Sequence, residues 1–329
     1  MLVSIVLASM LVTGPVKDTC RFAGEARNWT AGALSTWDGF DRRRLKMVRP
    51  ISPVITLFDD RCVYRLVPDP AGDLVAGPRR YRTAAEAHDG EIALPDGQTV
   101  PAGRLAFAAP LSDGGVFFTM ALPSLWRANT AEARDPDRLA MVVFMHEFSH
   151  TQQAEGLNNR VDDLIASGLD GDAGDDAVQA RFGGQAGYDA AFQTELTAVY
   201  AVSEAPTLSD ARRHLSRSLE LIAARRARWF VGDAALYAEA DDLFLTLEGI
   251  GNWASWVWLT DPDGGRLSPA EATAFVRGGR RWWSQDEGLG LMLAIDRLTP
   301  DWPVLAFGPD PLTIDGLAAR ALQPSRSSE

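Results

Sequence analysis

LAMVVFMHEFSHTQQ, residues 139–153, joins an apolar run to two histidines four positions apart. Seven apolar residues, Leu139 to Met145, lead directly into His146-Glu147-Phe148-Ser149-His150, an HExxH pattern. On a helix each residue turns about 100°, so His146 and His150 share one face, one turn apart, with Glu147 beside them. Two imidazoles so placed can share one tetrahedral zinc ion, and a neighbouring glutamate can take a proton from water held there. The chain has only four histidines, His88, His146, His150 and His214, which makes two of them at this spacing informative.

Working outward, the chain changes character near residue 130. Before it, short apolar runs are split by turn formers. Pro53–Phe58 and Cys62–Val67 read as strands around an Asp59-Asp60 turn. Glu91–Leu94 and Gln98–Val100 read as a hairpin, and Leu105–Ala108 and Val116–Leu122 as further strands; a helix is expected around Trp29–Leu45. Beyond residue 130, apolar periodicity predicts helices at roughly 136–155, 187–203, 210–230, 233–258, 268–298 and 312–322. Ser209 and Ser268 are the expected N-caps of two of them, the second followed by Pro269 at the first helical position. Strands followed by helices predict an α+β fold. The expected division is a segment 1–19, a sheet-rich part 20–130 and a helical part 131–329.

HEFSH behind an apolar run resembles the active-site helix of the zincin metallopeptidases. That resemblance implies a zincin-like fold, a Zn2+ cofactor, a peptide or protein substrate and Glu147 as general base. It also implies a strand that holds the substrate backbone, for which Val116–Leu122 is suitably placed. The longer HExxHxxGxxH signature is absent, since TQQAEG follows His150. The third ligand is therefore expected to be a carboxylate, as in the gluzincin arrangement. Glu248, in EGIGNW, loosely resembles the ligand segment of aminopeptidases and collagenases of this clan. Glu195, in TELTAVY, resembles the ligand helix of lethal-factor-like peptidases. Glu248 is preferred: Gly249 and Gly251 would each weaken a helix by about 1 kcal/mol, and close approach to the metal-bearing helix would offset this. The other glutamate is expected to orient a histidine or a water. Glu287-Gly288-Leu289-Gly290 repeats the Glu-Gly pattern but reads as helix packing.

Composition narrows the function classes. The chain has 329 residues, 46% hydrophobic and 23% charged, enough for a sizeable core. A net charge of −12 disfavours nucleic acid and anionic membranes. No apolar run reaches the roughly 18 residues of a membrane span. Leu2–Val12 has the length of a signal-peptide core, without a basic region before it, and Cys20 and Cys62 can form one disulfide. Export is expected, with a cytoplasmic location as the alternative.

Other residues read more weakly. Arg225, Arg226 and Arg228 read first as solvated residues near a helix C-terminus, and second as a clamp for a peptide carboxylate or a buried acid such as Glu195. Tyr200 and Tyr237 are candidate oxyanion donors. Asp170, Asp172, Asp175 and Asp176 read as a flexible acidic loop near the site, and Trp253, Trp256 and Trp258 as core or groove lining. The expected activity is zinc-dependent peptide hydrolysis. The alternatives are a non-catalytic zinc-stabilised envelope protein and a hydrolase of non-peptide amides.

Overall fold

The computed structural model describes residues 20–129, 135–308 and 310–323. The apolar segment Leu2–Val12, read as a signal-peptide core, lies outside them. The chain is α+β, with a mixed six-stranded sheet and a mainly helical C-terminal half.

Helix α1 (Gly24–Phe40) ends in a π-helical turn over Asp41–Leu45, then eight strands follow. They are β1 (Val54–Phe58), β2 (Cys62–Pro68), β3 (Leu74–Ala76), β4 (Arg79–Ala87), β5 (Glu91–Ala93), β6 (Thr99–Pro101), β7 (Ala106–Pro110) and β8 (Val116–Ala121). The order in the main sheet is β3-β4-β2-β1-β8-β7, while β5 and β6 form a separate hairpin. The most apolar strands lie in the middle. A strand covered on both faces needs apolar side chains at nearly every position rather than at alternate ones. All six residues of β8 are buried, and β8 runs parallel to β1 and antiparallel to β7.

This arrangement corrects the expectation for Val116–Leu122. Both edges of β8 are already paired, so it has no free edge for a substrate backbone; the edge strand is β7. Sequence reading also misses β3 and β4. In β4 the period-2 pattern is carried by Arg79 and Tyr81 pointing inward between exposed arginines, which hides the apolar alternation. Arg79 is buried on Asp38 of α1 and so ties the helix to the sheet. A disulfide between Cys20 and Cys62 makes a second tie, from the segment before α1 to β2.

The helical half comprises α2 (Pro123–Asn129), α3 (Pro136–Ala166), α4 (Ala177–Phe182), α5 (Ala186–Glu204), α6 (Leu208–Trp229), α7 (Tyr237–Thr260), α8 (Pro269–Arg277), α9 (Trp283–Leu298), α10 (Trp302–Ala306) and α11 (Ile314–Leu322). Helix α3 starts where Asp135 accepts a hydrogen bond from the Arg138 N–H, with Pro136 in the first turn. It runs past residue 155 to Ala166, because Leu157 and Leu164 carry the apolar face onto Leu243 and Phe244 of α7. The N-cap of α6 is Thr207, not Ser209: its hydroxyl accepts from the Asp210 N–H at 3.1 Å, which places Ser209 inside the first turn. Ser268 caps α8 as expected and forms a reciprocal capping box with Glu271. The single helix expected over 268–298 is two helices, broken by a turn in which Gly278 (φ 48°) and Arg280 (φ 53°) are left-handed.

The main core is continuous across both halves. Phe118 and Met120 of β8, Phe144 and Phe148 of α3, Trp37 of α1 and Trp253 of α7 belong to one buried cluster. The glycines of α7 divide their roles. A Cβ at Gly249 would sit 2.7 Å from the Gly288 carbonyl oxygen, and one at Gly251 would sit 2.8 Å from the His146 ring. Close approach to the helix that carries His146 therefore holds for Gly251, while Gly249 meets α9. The α7–α9 crossing is backbone against backbone and has little freedom to yield. Gly288→Ala should destabilise the protein by about 1–3 kcal/mol. Gly32→Ala, in α1 with open space around it, should be neutral or stabilising by up to about 1 kcal/mol. Thermal denaturation of the two variants checks this; equal effects would mean the crossing is soft.

Candidate metal centre

Helices α3 and α7 bring three side chains to one point. His146 and His150 project from one face of α3, as their spacing requires, and Glu248 comes from α7. The Glu248 Oε2 lies 3.1 Å from His146 Nε2, and its Oε1 lies 3.3 Å from His150 Nε2. Ligand atoms about 2.0–2.1 Å from a shared tetrahedral centre would stand roughly 3.3–3.4 Å apart. Gly251 makes the convergence feasible, since any side chain there would displace the His146 ring. Glu147 lies between the two histidines on the same turn of α3, its Oε2 4.0 Å from His150 Nε2. His146, Glu147 and His150 have one potential ligand atom each, all within 4.8 Å of one another.

Each imidazole is fixed from behind. Asn252 Oδ1 accepts from His146 Nδ1–H at 2.9 Å, and Gln153 Oε1 accepts from His150 Nδ1–H at 2.9 Å. Asn252 is itself held, donating from Nδ2 to the Gln285 carbonyl at 3.0 Å. With each Nδ1 proton committed to an amide oxygen, each Nε2 faces Glu248: it donates to the carboxylate while protonated, and it can bind an ion once that proton is lost. Two imidazole nitrogens, one carboxylate and two amide acceptors behind the rings form a donor set that suits zinc.

The cluster's electrostatics follow from burial and close pairing. Burial by itself would push the Glu248 carboxyl up, but the charges and hydrogen bonds of His146 and His150 outweigh it and hold the group well below the usual carboxylate range. Burial opposes the His150 imidazolium, yet Glu248 and Glu147 raise it to about 9. Burial also raises Glu147, against the pull of both histidines. A cavity of about 200 Å³ opens beside the cluster, between the end of edge strand β7 at Ala108–Pro110 and Phe244 and Leu247 of α7. Asp175 lines it too; burial, then the nearby Glu248, pushes its carboxyl to about 7. The acidic stretch is thus partly folded against the site: a 3₁₀ segment, Gly171–Asp176, leads into α4.

The other predicted residues lie elsewhere. Glu195 is fully buried, and its Oε1 accepts from Arg225 Nε at 2.6 Å. Arg225 is not solvated near a helix end; it is 1% exposed and also binds Asp241 of α7 and Glu287 of α9. Glu195 therefore holds Arg225 rather than a histidine or a water. Glu287 is pushed well above the usual range by burial and by Glu195 beside it, so the pair holds a proton between two acids. Tyr200 donates its hydroxyl to Asp286 at 2.9 Å, and Tyr237 packs on Phe182 and Phe230; neither lines the cavity beside His150. Sequence reading missed Asn252 and Gln153. Their positions, four residues after Glu248 and three after His150, are the helical spacings that place them behind the same site.

No protein-family model matches the chain, and no curated protein or solved structure matches it.

Two outcomes follow from this geometry. Glu248→Ala should lower zinc affinity by about 100-fold or more, whereas Glu195→Ala should keep zinc and lose about 3 kcal/mol of stability, because it leaves the buried Arg225 Nε without its acceptor. Zinc titration and denaturant unfolding separate these effects; retained zinc in Glu248→Ala would remove it from the ligand set.

The second outcome concerns pH in chelator-treated protein. His150 is raised from 6.5 to about 9, so its pairing stabilises fully below about pH 6.5 and is lost as pH rises through 9. Glu248 is lowered from 4.5, so its share is present above about pH 4.5 and lost as pH falls. Unfolding free energy should peak between those limits and fall toward pH 9, and Glu248→Gln should flatten the fall. Zinc affinity should rise over the same alkaline interval, because the metal must displace the imidazolium proton.

Proposed function

We propose that this chain is a zinc-dependent hydrolase of peptide bonds, with a zincin-like arrangement of the gluzincin type. The observation that carries the reading is the convergence of His146, His150 and Glu248 within 3.1–3.3 Å contacts, with Glu147 on the same turn between the histidines and an edge strand bordering the cavity. His146, His150 and Glu248 would hold the ion. Bound zinc supplies Lewis acidity toward a carbonyl and makes water easier to deprotonate.

The remaining chemistry belongs to the chain. Glu147 is placed to accept the proton of the attacking water. Burial raises its pKa, which favours holding that proton and returning it to the leaving amine. Gln153 and Asn252 keep the imidazoles in one orientation throughout. The outer edge of β7 is unpaired among the described residues, so an extended peptide can pair with it antiparallel and lay its backbone across the cavity. Ala108 and Ala109 leave room there, and Pro110, which lacks an N–H, limits that pairing at one end. Export is part of this reading. It is supported by the Cys20–Cys62 disulfide, which suits an oxidising compartment. No helix among the described residues is long and apolar enough to cross a membrane.

Glu147→Gln tests the reading. The variant should bind zinc as wild type does and lose about 10²-fold or more of peptide hydrolysis, measured on a library of quenched fluorescent peptides. Stoichiometric zinc in a wild-type protein that cleaves no member of the library would favour the non-catalytic, zinc-stabilised alternative. Cleavage of simple amides but not peptides would favour the non-peptide hydrolase.

A further inference from the structure

Behind the metal centre lies a second cavity, of about 490 Å³, within the range of small-molecule sites. Its walls are the loop 45–51, the turn of α3 that carries Gln152, Gln153 and Gly156, and residues 303–308 with Pro311 around α10. Each wall is fixed. Asp41 accepts from the Met47 N–H at 3.0 Å, and its carbonyl accepts from the Lys46 N–H at 2.6 Å. Gln152 accepts from the Ile51 N–H at 2.8 Å and donates to the Ile51 carbonyl at 3.1 Å, clamping that peptide as a neighbouring strand would. Gly156 lets the far wall close in, since a Cβ there would meet the Pro311 ring at 2.3 Å.

The lining has an unusual composition for this chain. In a protein of net charge −12, no Asp or Glu lines this cavity among the described residues, while Lys46 and Arg49 both do. Neither cation has a side-chain partner among the described residues. The rest of the rim is apolar. Val48 and Val304, the two most exposed large apolar side chains among the described residues at 94% and 73%, both border it. Exposed apolar groups gathered at one mouth, beside unpaired cations, mark a place where something binds. The inner end adds a third feature. Gln153 is 3% exposed and lines the cavity; its Oε1 is used by His150, but its Nε2 is buried with no hydrogen-bond partner. A buried donor without an acceptor calls for one.

We propose that this cavity binds an aliphatic carboxylate. Its head group is held by Lys46, Arg49 and the Gln153 amide, and its hydrocarbon chain lies against Val48, Pro303, Val304 and Phe307. The site also reaches the metal centre through one residue. A carboxylate accepting from Gln153 Nε2 polarises the amide and strengthens its Oε1 as acceptor for His150 Nδ1–H, so occupancy here and metal affinity are linked.

Titration calorimetry with decanoate tests the proposal, on zinc-loaded and chelator-treated protein. Decanoate should bind saturably at one site, whereas decyltrimethylammonium should not bind. Charge reversal by Lys46→Glu with Arg49→Glu should weaken decanoate at least tenfold, and Val304→Asp should weaken it with the charges intact. All three positions are exposed and outside the metal centre, so folding and peptide hydrolysis should be unchanged. Saturating decanoate should also change zinc affinity about fivefold or more in wild type but not in the charge-reversed variant. Absence of saturable decanoate binding, or equal binding of the cation or by the reversed variant, overturns the site. An unchanged zinc affinity with decanoate bound overturns the link through Gln153.

Discussion

One carboxylate between two imidazoles organises this molecule. Glu248 reaches across from α7 to both histidines of α3, and that reach exists only where the two helices lie close enough for Gly251 to face the His146 ring. Three ionisable groups are thereby placed in a setting that burial disfavours for each. Their mutual attraction keeps them charged, and the two amides behind the rings fix their orientation. The apolar run before His146 buries α3 against the central strands, and the same helix presents its polar turn to the cavity beside β7. Folding and site geometry thus share one element.

A second charged core lies away from the cavity. Arg225 of α6 meets Glu195 of α5, Asp241 of α7 and Glu287 of α9, all buried. A buried guanidinium is costly unless its donors are used, and three neighbouring helices supply its partners. Asp241 also binds Arg226, and Glu287 keeps a proton, which brings the charges close to balance. This cluster and the His146–His150–Glu248 cluster share α7, which carries Asp241 and Glu248 two turns apart. Register along that helix is set by ionic contacts two turns apart on one side and by backbone contact of Gly249 with Gly288 of α9.

Much of this was legible in the residues, for identifiable reasons. HEFSH on a helix, the α+β order and the capping of α8 by Ser268 are local patterns, and local patterns survive into the fold. The preference for Glu248 rested on glycines needing a close neighbour, a physical argument that applies to Gly251. Long-range facts were not legible. Which strand lies at the edge depends on pairing order, so β8 was read as free when it is central. Strand β4 was hidden because its inward residues are Arg79 and Tyr81, and an arginine reads as surface until its partner Asp38 is known. Glu195 and Glu287 are glutamates on helices like Glu248, and only the position of Arg225 tells their roles apart.

The parallel pairing of β1 with β8 has a consequence for how the chain assembles. Nothing between those strands in sequence can complete the middle of the sheet; residues 59–115 must first be looped out, and loop closure of that length delays pairing. Until β8 docks, Phe144 and Phe148 of α3 lack Phe118 as a neighbour, and one wall of the core around them stays open. The convergence of His146 and His150 with Glu248 waits on a contact longer still in sequence, that between α3 and α7. A nascent chain would carry both histidines well before Glu248 emerges, so the three side chains meet only after most of the sequence is present to fold.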